Sequence, residues 1–181
     1  MLFRDDHQQP LRNQFREINL KPTVDRWLDS YQTQFDEKNV LAIAEPTSRD
    51  WKLRCVPEYV EILVKNLVSN GVKYSFDASC FEDGEAGKFL VLFDQRQRRL
   101  TFINFGVPIS QSEIDTGSLF DRESRGGGAN DRGRVGKGVG LYLVKRVVDL
   151  HDAEITVKSQ IMNRGGVQEF ARNEFEIRFS K

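Results

Sequence analysis

The chain has little cysteine, and its cysteines are not spaced as a metal site or a disulfide framework. Cys55 and Cys80 are the only two among 181 residues, and there is no CxxC pair. This composition excludes a disulfide-rich secreted domain and a thiolate zinc site. We interpret both cysteines as reduced thiols, which suits the cytoplasm.

The chain also lacks net charge. Lys and Arg together number 27, and Asp and Glu together number 27. There is therefore no overall basic field of the kind that supports binding to nucleic acid. We expect no nucleic-acid partner.

No hydrophobic run is long enough to cross a membrane. The longest aliphatic and aromatic run, 89–93, is far shorter than the roughly 20 residues that a transmembrane helix needs. Acidic residues stand near the N-terminus, where a signal peptide would have a basic start and an apolar stretch. We expect a cytoplasmic segment without membrane contact, although a parent protein could be anchored in a membrane.

Length and hydrophobic spacing predict one domain of mixed helices and strands, because 181 residues form one well-buried core more readily than two. Residues 1–17 show no apolar period and are interpreted as a leader or a linker remnant, which leaves 18–181 as the domain. A helix from residue 18, opened by Pro22 and Thr23, is expected to run through Phe35. A helix at 57–75 is predicted to have Pro57 in its first turn and an inward stripe of Val60, Leu63, Val64, Leu67 and Val68, and another helix is predicted at 141–150. Strands are predicted at 40–44, 88–94, 99–104, 154–159 and 174–179, and the charged stretch 95–98 is expected to join 88–94 and 99–104 as an antiparallel hairpin. The glycine-rich stretch 110–135 is predicted to be a mobile lid.

The most informative motif is a polar stripe on the second predicted helix. One face of this helix carries Asn66, Asn70, Lys73 and Tyr74, because residues three or four apart are neighbours on a helix. An amide oxygen is a suitable ligand for Mg²⁺, and Asn70 is the candidate. Lys73 offers a charge for a terminal phosphate and Tyr74 a ring for a base. Taken alone, such a stripe would equally suit a solvated helix surface.

A glycine loop precedes the last predicted helix. Glycines alternate with other residues in the run Gly136, Lys137, Gly138, Val139, Gly140 and Leu141. This spacing lets backbone N–H groups approach phosphates at the positive end of a helix. The loop fits neither the Rossmann fingerprint, since no strand precedes it, nor the P-loop motif GxxxxGK[ST]. The stripe and the loop together indicate nucleotide binding.

These motifs and their order resemble the GHKL ATP-binding superfamily, and within it the catalytic ATP-binding domain of sensor histidine kinases. The asparagine stripe is similar to the N box, and the glycine loop is similar to the G2 box GTGxGL, with Lys137 in place of threonine. The run from Asn104 through Gly106 to Ile109 resembles a divergent G1 box. That box is commonly DxGxG, whereas this chain has Asn104 for the aspartate and Pro108 for the second glycine. Leu119 and Phe120, followed by Arg122 and Arg125, resemble the F box and arginine segment of the kinase lid.

The resemblance implies a Bergerat-type fold, an α/β two-layer sandwich with helices on one face of a mixed, mostly antiparallel sheet. It implies Mg²⁺ and ATP as ligands, with Asn66 and Lys73 as the catalytic pair and Asn70 on the metal. The implied nucleotide-binding set is Asn66, Asn70, Lys73, Tyr74, Asn104, Gly106, Ile109, Arg125, Gly136, Lys137, Gly138, Val139, Gly140 and Leu141.

The resemblance also implies a protein histidine kinase that is not self-sufficient. Hydrolysing relatives have a glutamate as general base where this chain has Asn66, and an amide cannot take a proton from water. The γ-phosphoryl group would go to a histidine in a dimerisation and phosphotransfer domain, in cis or in trans, and indirectly to a response regulator. Of the two histidines here, His7 lacks the pattern of an acceptor and is expected at the surface, and His151 is interpreted as structural.

Two other functions remain open from the sequence. The altered residues Asn104 and Pro108 suit a degenerate domain with weak or no ATP binding that serves as a regulatory or protein-interaction module. The same boxes also resemble those of serine/threonine kinases of the anti-sigma-factor type, which need no dimerisation domain.

Overall fold

The computed structural model describes residues 14–45, 51–77, 87–122, 138–162 and 169–180. These described residues contain seven strands, β1 (Arg16–Asn19), β2 (Leu41–Ala44), β3 (Lys52–Cys55), β4 (Lys88–Asp94), β5 (Arg99–Gly106), β6 (Glu154–Met162) and β7 (Phe170–Arg178). The α-helices are α1 (Leu20–Ser30), α2 (Gln32–Asp36), α3 (Pro57–Tyr74), α4 (Gln111–Thr116) and α5 (Gly140–Leu150), and a 3₁₀ turn spans Ser118–Phe120.

Five strands form the main sheet in the order β2, β4, β5, β7, β6. Only the β2–β4 pair is parallel, and the other three pairs are antiparallel. Strands β1 and β3 form a separate antiparallel pair. The predicted β4–β5 hairpin and the mixed, mostly antiparallel sheet are therefore confirmed.

The core lies between one face of this sheet and the helices. Strand residues alternate between faces, and the inward row that includes Phe89, Val91, Phe102, Phe175 and Ile177 is buried. Buried side chains of α1, α3 and α5 join the same hydrophobic cluster. The opposite face carries ion pairs, among them Arg99 with Asp94 and Arg99 with Glu176. The predicted α/β two-layer sandwich is confirmed.

Helix α3 is the central helix of the layer, and the sequence predicted its bounds closely. It begins with Pro57 in its first turn, where the missing N–H costs nothing. The predicted inward stripe Val60, Leu63, Val64, Leu67 and Val68 is buried. Each such side chain contributes roughly 1.5–3 kcal/mol by leaving water, whereas helix propensities of ordinary residues differ by less than about 1 kcal/mol. Packing of the apolar stripe therefore stabilises this helix more than helix propensity does.

No described helix is long and apolar enough to span a bilayer.

The structure corrects the prediction for the N-terminal part of the chain. The expected continuous helix from residue 18 is divided, because Ile18 belongs to β1 and the chain turns at Tyr31 between α1 and α2. Asn19, and not Pro22 or Thr23, precedes α1 and caps it by accepting a hydrogen bond from the Lys21 N–H. Pairing with β3, which was not predicted, also places Arg16 and Glu17 in the ordered fold.

The predicted lid is partly regular structure. Its described portion contains α4, which opens with a capping box between Ser110 and Glu113, and the 3₁₀ turn. Leu119 is buried in the core cluster and Phe120 packs against that cluster. The early lid residues thus bury more apolar surface than the glycine content suggested. The rest of the predicted lid, 123–135, lies outside the described residues.

Candidate functional site

The polar face of α3 carries Asn66 and Asn70, both partly buried. The Nδ2 of Asn66 donates to the carbonyl oxygen of Ile62, one turn earlier, at 2.7 Å. The amide nitrogen of Asn66 is therefore engaged by the backbone of its own helix. Its Oδ1 is the atom that could bind a ligand.

The first residue of α5 lies against both asparagines. A β-carbon built on Gly140 would stand 3.1 Å from Oδ1 of Asn66 and 3.8 Å from Oδ1 of Asn70. A side chain there would crowd the amide oxygens, so glycine lets the two elements approach. The start of α5 also presents unpaired backbone N–H groups and the positive end of the helix dipole, which favour an anion. The structure thus brings the asparagine stripe and the end of the glycine loop together.

Besides Gly140, three residues of the glycine loop are described. Gly138 has φ +64°, a backbone conformation that residues with a side chain rarely adopt. Val139 precedes α5, and its carbonyl oxygen accepts from the Leu143 N–H at 3.0 Å. Leu141 packs against the core cluster. Gly136 and Lys137, like Arg125 of the predicted lid, lie outside the described residues.

The other end of α3 meets the end of β5. The N–H of Val107 donates to the carbonyl oxygen of Tyr74 at 3.2 Å, and the N–H of Phe76 donates to that of Phe105 at 3.0 Å. A β-carbon on Gly106 would overlap the Tyr74 carbonyl oxygen. This close contact gives Gly106 a physical reason to be glycine. The side chains of Lys73 and Tyr74, in the last turn of α3, are partly buried beside this junction.

A row of polar side chains crosses the sheet on its helix-facing side. Asn104 of β5 pairs with Asn173 of β7, which pairs with Ser159 of β6. The Nδ2 of Asn173 donates to the Val107 carbonyl oxygen at 2.8 Å, and its Oδ1 accepts from Ser159 Oγ at 2.7 Å. Ser159 Oγ in turn accepts from the Ile109 N–H at 3.0 Å. The row therefore fixes the backbone that carries the predicted site residue Ile109.

Asn173 and Ser159 were not predicted as site residues. A signal was present in the sequence, since Asn173 stands where the alternation of β7 otherwise places buried residues such as Phe175 and Ile177. A buried polar residue in an apolar phase usually has a specific hydrogen-bonding role. Asn104, only 6% exposed, is a second buried polar residue of this row, and its Nδ2 has no hydrogen-bond partner within the part of the chain that the structure describes.

His151 follows α5 and is buried, as the structural interpretation predicted. Its Nε2 accepts from the Val56 N–H at 3.0 Å, so the ring proton is on Nδ1, which donates to the Val147 carbonyl oxygen at 2.7 Å. Burial lowers the pKa of this histidine, although the Val147 hydrogen bond and Asp152 act in the opposite direction. Burial, with a smaller effect of Glu58, raises the pKa of the buried Cys55 thiol to about 12, and Arg16 opposes this rise. Neither group is a reactive site.

A cleft of about 420 Å³ lies on the outer side of α5. It is lined by Thr116, Gly117, Phe120, Asp121, Arg122, Tyr142, Lys145, Arg146 and Asp149. The asparagine stripe does not contribute to its walls. This cleft therefore adjoins the lid segment and is separate from the site at Gly140.

The donor set of the site suits a metal bound through neutral oxygens. Across the described residues, no group of three or more His, Cys, Asp or Glu side chains is placed to hold a metal ion. The available protein oxygens at the site are the amides of Asn66 and Asn70, next to the N-terminus of α5. Mg²⁺ accepts such ligands because it completes its shell with water and phosphate oxygens.

Comparison with solved structures shows the same fold. The catalytic domain of the histidine kinase ThkA, in a nucleotide-free form, aligns with a TM-score of 0.65 at 16% identity over 91% of this chain and 95% of that chain. The mycobacterial sensor histidine kinase MprB aligns with a TM-score of 0.65 at 19% identity, over 91% of this chain and 100% of that chain. At these identities the likeness concerns the fold alone.

Sequence comparison adds the family. The signal transduction histidine-protein kinase ArlS of Staphylococcus aureus is 24% identical over 119 residues, which cover 66% of this chain and 24% of ArlS. The chain thus spans about a quarter of the length of the curated relatives that it matches. A family model described as histidine kinase-, DNA gyrase B- and HSP90-like ATPase matches residues 55–179, which include α3, β5 and α5. Since this match covers more than half of the chain and both elements of the site, the chain belongs to the family of histidine kinase-, DNA gyrase B- and HSP90-like ATPases.

Proposed function

We propose that this chain is the Mg-ATP-binding catalytic domain of a sensor histidine kinase. The observation that carries the proposal is the contact of Gly140 with the amide oxygens of Asn66 and Asn70. This contact brings together two motifs that are far apart in the chain, so that two amide oxygens lie beside a helix N-terminus. Amide oxygens suit a divalent cation, and a helix N-terminus suits a negatively charged phosphate.

Within this site, Asn70 Oδ1 would bind Mg²⁺, which would neutralise part of the phosphate charge. Asn66 and Lys73 would act as the catalytic pair that orients and neutralises the terminal phosphate, since phosphoryl transfer depends mainly on positioning and charge. The base would bind beside Asn104, Gly106, Ile109 and Tyr74. The phosphates would lie along the glycine loop, contacted by Gly136, Lys137, Gly138, Val139, Gly140 and Leu141, with Arg125 reaching them from the lid.

The lack of a carboxylate at position 66 favours phosphoryl transfer to protein over hydrolysis. Asn66 has no basic group, and its Nδ2 is held by the Ile62 carbonyl oxygen. It therefore cannot accept the proton of an attacking water molecule. We expect slow intrinsic hydrolysis of ATP by this domain.

The phosphate acceptor would be a histidine outside the described part of this chain. His151 is buried, and both ring nitrogens are engaged in hydrogen bonds, so it is not available for phosphorylation. We propose that a dimerisation and phosphotransfer domain, in cis or in trans, supplies the acceptor and that a response regulator receives the phosphoryl group afterwards. The name of ArlS, a signal transduction histidine-protein kinase, supports the assignment as a histidine kinase domain. We also propose a cytoplasmic position for this segment.

Calorimetric titration of the chain with ATP and ADP, with and without Mg²⁺, tests the proposal. We expect binding of both nucleotides and a stronger interaction with ATP when Mg²⁺ is present. A triphosphate without a base, such as inorganic tripolyphosphate, serves as the control for charge attraction alone. Absence of any nucleotide binding at millimolar concentration would refute the proposal and favour a regulatory module that retains only the fold.

A further inference from the structure

Asn104 carries a buried hydrogen-bond donor without an acceptor. Its side chain is 6% exposed, and its Nδ2 has no hydrogen-bond partner among the described residues. Leaving such a group unsatisfied in a folded protein is costly, so each instance calls for a ligand, a bound water or a functional role.

The neighbours of Asn104 do not supply that acceptor. Asn173 uses its Nδ2 on the Val107 carbonyl oxygen and its Oδ1 on the Ser159 hydroxyl. Ser159 is engaged by the Ile109 N–H. These hydrogen bonds order the end of the sheet around Asn104 and leave its amide as the uncommitted polar group of the row.

The position of Asn104 places this amide at the base end of the proposed nucleotide site. Asn104 is two residues before Gly106, which lies against the backbone of Tyr74 at the end of α3. Asn70 and Asn66, at the phosphate end, lie about one and two turns before Tyr74 on the same helix. The amide is also on the helix-facing side of the sheet, in register with Asn173.

An amide differs from an ionised carboxylate in having a hydrogen-bond donor as well as an acceptor. A carboxylate only accepts hydrogen bonds, so it suits the 6-amino group of a purine and is repelled by a 6-oxo group. An amide has both an acceptor and a donor. It can accept from the 6-amino group while donating to N1, or, after rotation by half a turn, donate to a 6-oxo group while accepting from the N1–H.

We propose that Asn104 lets the base site take 6-oxopurine nucleotides as well as 6-aminopurine nucleotides. The inference rests on the proposed nucleotide site and concerns only which base it admits. Asn104 is the residue that determines this selectivity, and its unpartnered Nδ2 is the atom that a 6-oxo oxygen would engage.

The test compares the affinities of wild-type protein for ATP and ITP, with Mg²⁺ present, by calorimetry. ITP is the probe because it differs from ATP only at the 6-position and the proton on N1. We expect the two dissociation constants to agree within about tenfold, since neither base leaves a polar group of the site unpaired. A preference for ATP of more than about a hundredfold would overturn the inference and leave the proposed ATP site intact. Failure of both nucleotides to bind would overturn both proposals.

Two variants assign the effect to Asn104. Asn104→Asp restores a group that only accepts, and we expect it to weaken ITP binding relative to ATP by at least about tenfold. Asn19→Asp is the matched control, because it introduces the same charge at a helix cap where aspartate functions as well as asparagine. An unchanged ATP-to-ITP ratio in folded Asn104→Asp protein would reject Asn104 as the determinant. Should that variant not fold, the wild-type ratio still decides the proposal.

Discussion

At the scale of single residues, three glycines allow neighbouring helices and strands to approach each other closely around the proposed site. Gly106 is required because a β-carbon would overlap the Tyr74 carbonyl oxygen, and Gly71 is required because one would overlap the Phe89 ring. At Gly140 the neighbouring atoms are the amide oxygens that we assign to the nucleotide site. Gly71 thus serves packing, Gly106 lets the end of β5 lie against α3 at the proposed base site, and Gly140 leaves room at the proposed phosphate site.

Substitution of Gly106 by alanine should destabilise the fold. The obstructing atom is a backbone oxygen that cannot rotate away, so we expect a loss of about 3 kcal/mol or more in the free energy of unfolding. Urea denaturation measures the loss. Gly117→Ala is the control, because a β-carbon there would meet no atom of the described residues within 4 Å beyond its chain neighbours, but φ is +71°. Positive φ alone costs about 1–2 kcal/mol. Equal losses in the two variants would show that the close contact is not what requires glycine at 106.

Substitution of Asn70 by alanine should remove the oxygen that we propose as the protein's ligand for Mg²⁺. We expect the Mg²⁺-dependent part of ATP affinity to fall at least about tenfold, which corresponds to about 1.4 kcal/mol, while stability changes little. Calorimetry with and without Mg²⁺ measures this effect. Ser69→Ala, at the adjacent position of α3, is the matched control. An unaltered Mg²⁺ dependence in Asn70→Ala would reject the assignment of Asn70 to the metal.

At the scale of elements, α3 is secured at both ends by groups from other parts of the chain. Its N-cap residue, Val56, has no side chain that caps the helix, and the His151 ring accepts from the Val56 N–H at that end. At the other end, Lys38 Nζ donates to the Val72 carbonyl oxygen at 2.6 Å and lies 3.3 Å from that of Lys73. A cation at this end also opposes the negative pole of the helix dipole. The His151 hydrogen bond also joins the start of α3, the helix that bears the asparagines, to the end of α5.

The lowered pKa of His151 predicts a loss of stability in mild acid. Because burial disfavours the charged ring, the unfolded chain binds a proton more readily than the folded one. The free energy of unfolding should therefore be fully retained above the unfolded pKa, near 6.5, and should decline as the pH falls below it. Urea denaturation at a series of pH values between about 7.5 and 5.5 tests this, above the usual range of carboxylates.

The variant His151→Phe separates this histidine from other titrating groups. It should be less stable at neutral pH, because the Val56 N–H loses its acceptor at a cost of about 1–3 kcal/mol. Its stability should also vary less with pH over the same interval. A pH dependence as steep as that of wild type would show that another group is responsible.

At the scale of the whole molecule, one hydrophobic cluster joins the helices to the main sheet. It extends from Leu20 in α1 through α3 and α5 to Phe179 beyond β7. Trp51, which precedes β3, belongs to it and contacts the rings of Phe93 and Phe179. The small β1–β3 ladder is therefore attached to the same core as the main sheet.

This shared core predicts one cooperative unfolding transition. Tryptophan fluorescence reports on Trp27 in α1 and Trp51 beside β3, whereas far-ultraviolet circular dichroism reports on all helices and strands. We expect urea transitions from the two probes to coincide, as in a single two-state domain. Separate midpoints would instead indicate that the β1–β3 part unfolds independently. Mg-ATP should raise both midpoints together by mass action.

Much of the fold was predictable because it depends on local periodicity. The apolar stripe from Val60 to Val68 and the Pro57 start specified α3, and the alternation in β4 and β5 specified a hairpin. The division between α1 and α2 was missed because the spacing of Val24, Leu28 and Phe35 continues across the turn. The short strand β3 was missed because its existence depends on pairing with β1.

The sequence alone determined the helix that bears Asn66 and Asn70, the strands of the hairpin and the glycine loop before the last helix. These follow from residue type and spacing within a few turns or strand lengths. Only the tertiary structure decided that Gly140 lies against both asparagines, that Gly106 lies against Tyr74, and that Asn104, Asn173 and Ser159 form one row. Such contacts join residues far apart in the chain. They depend on strand register and on how closely helices can approach, which no local pattern specifies.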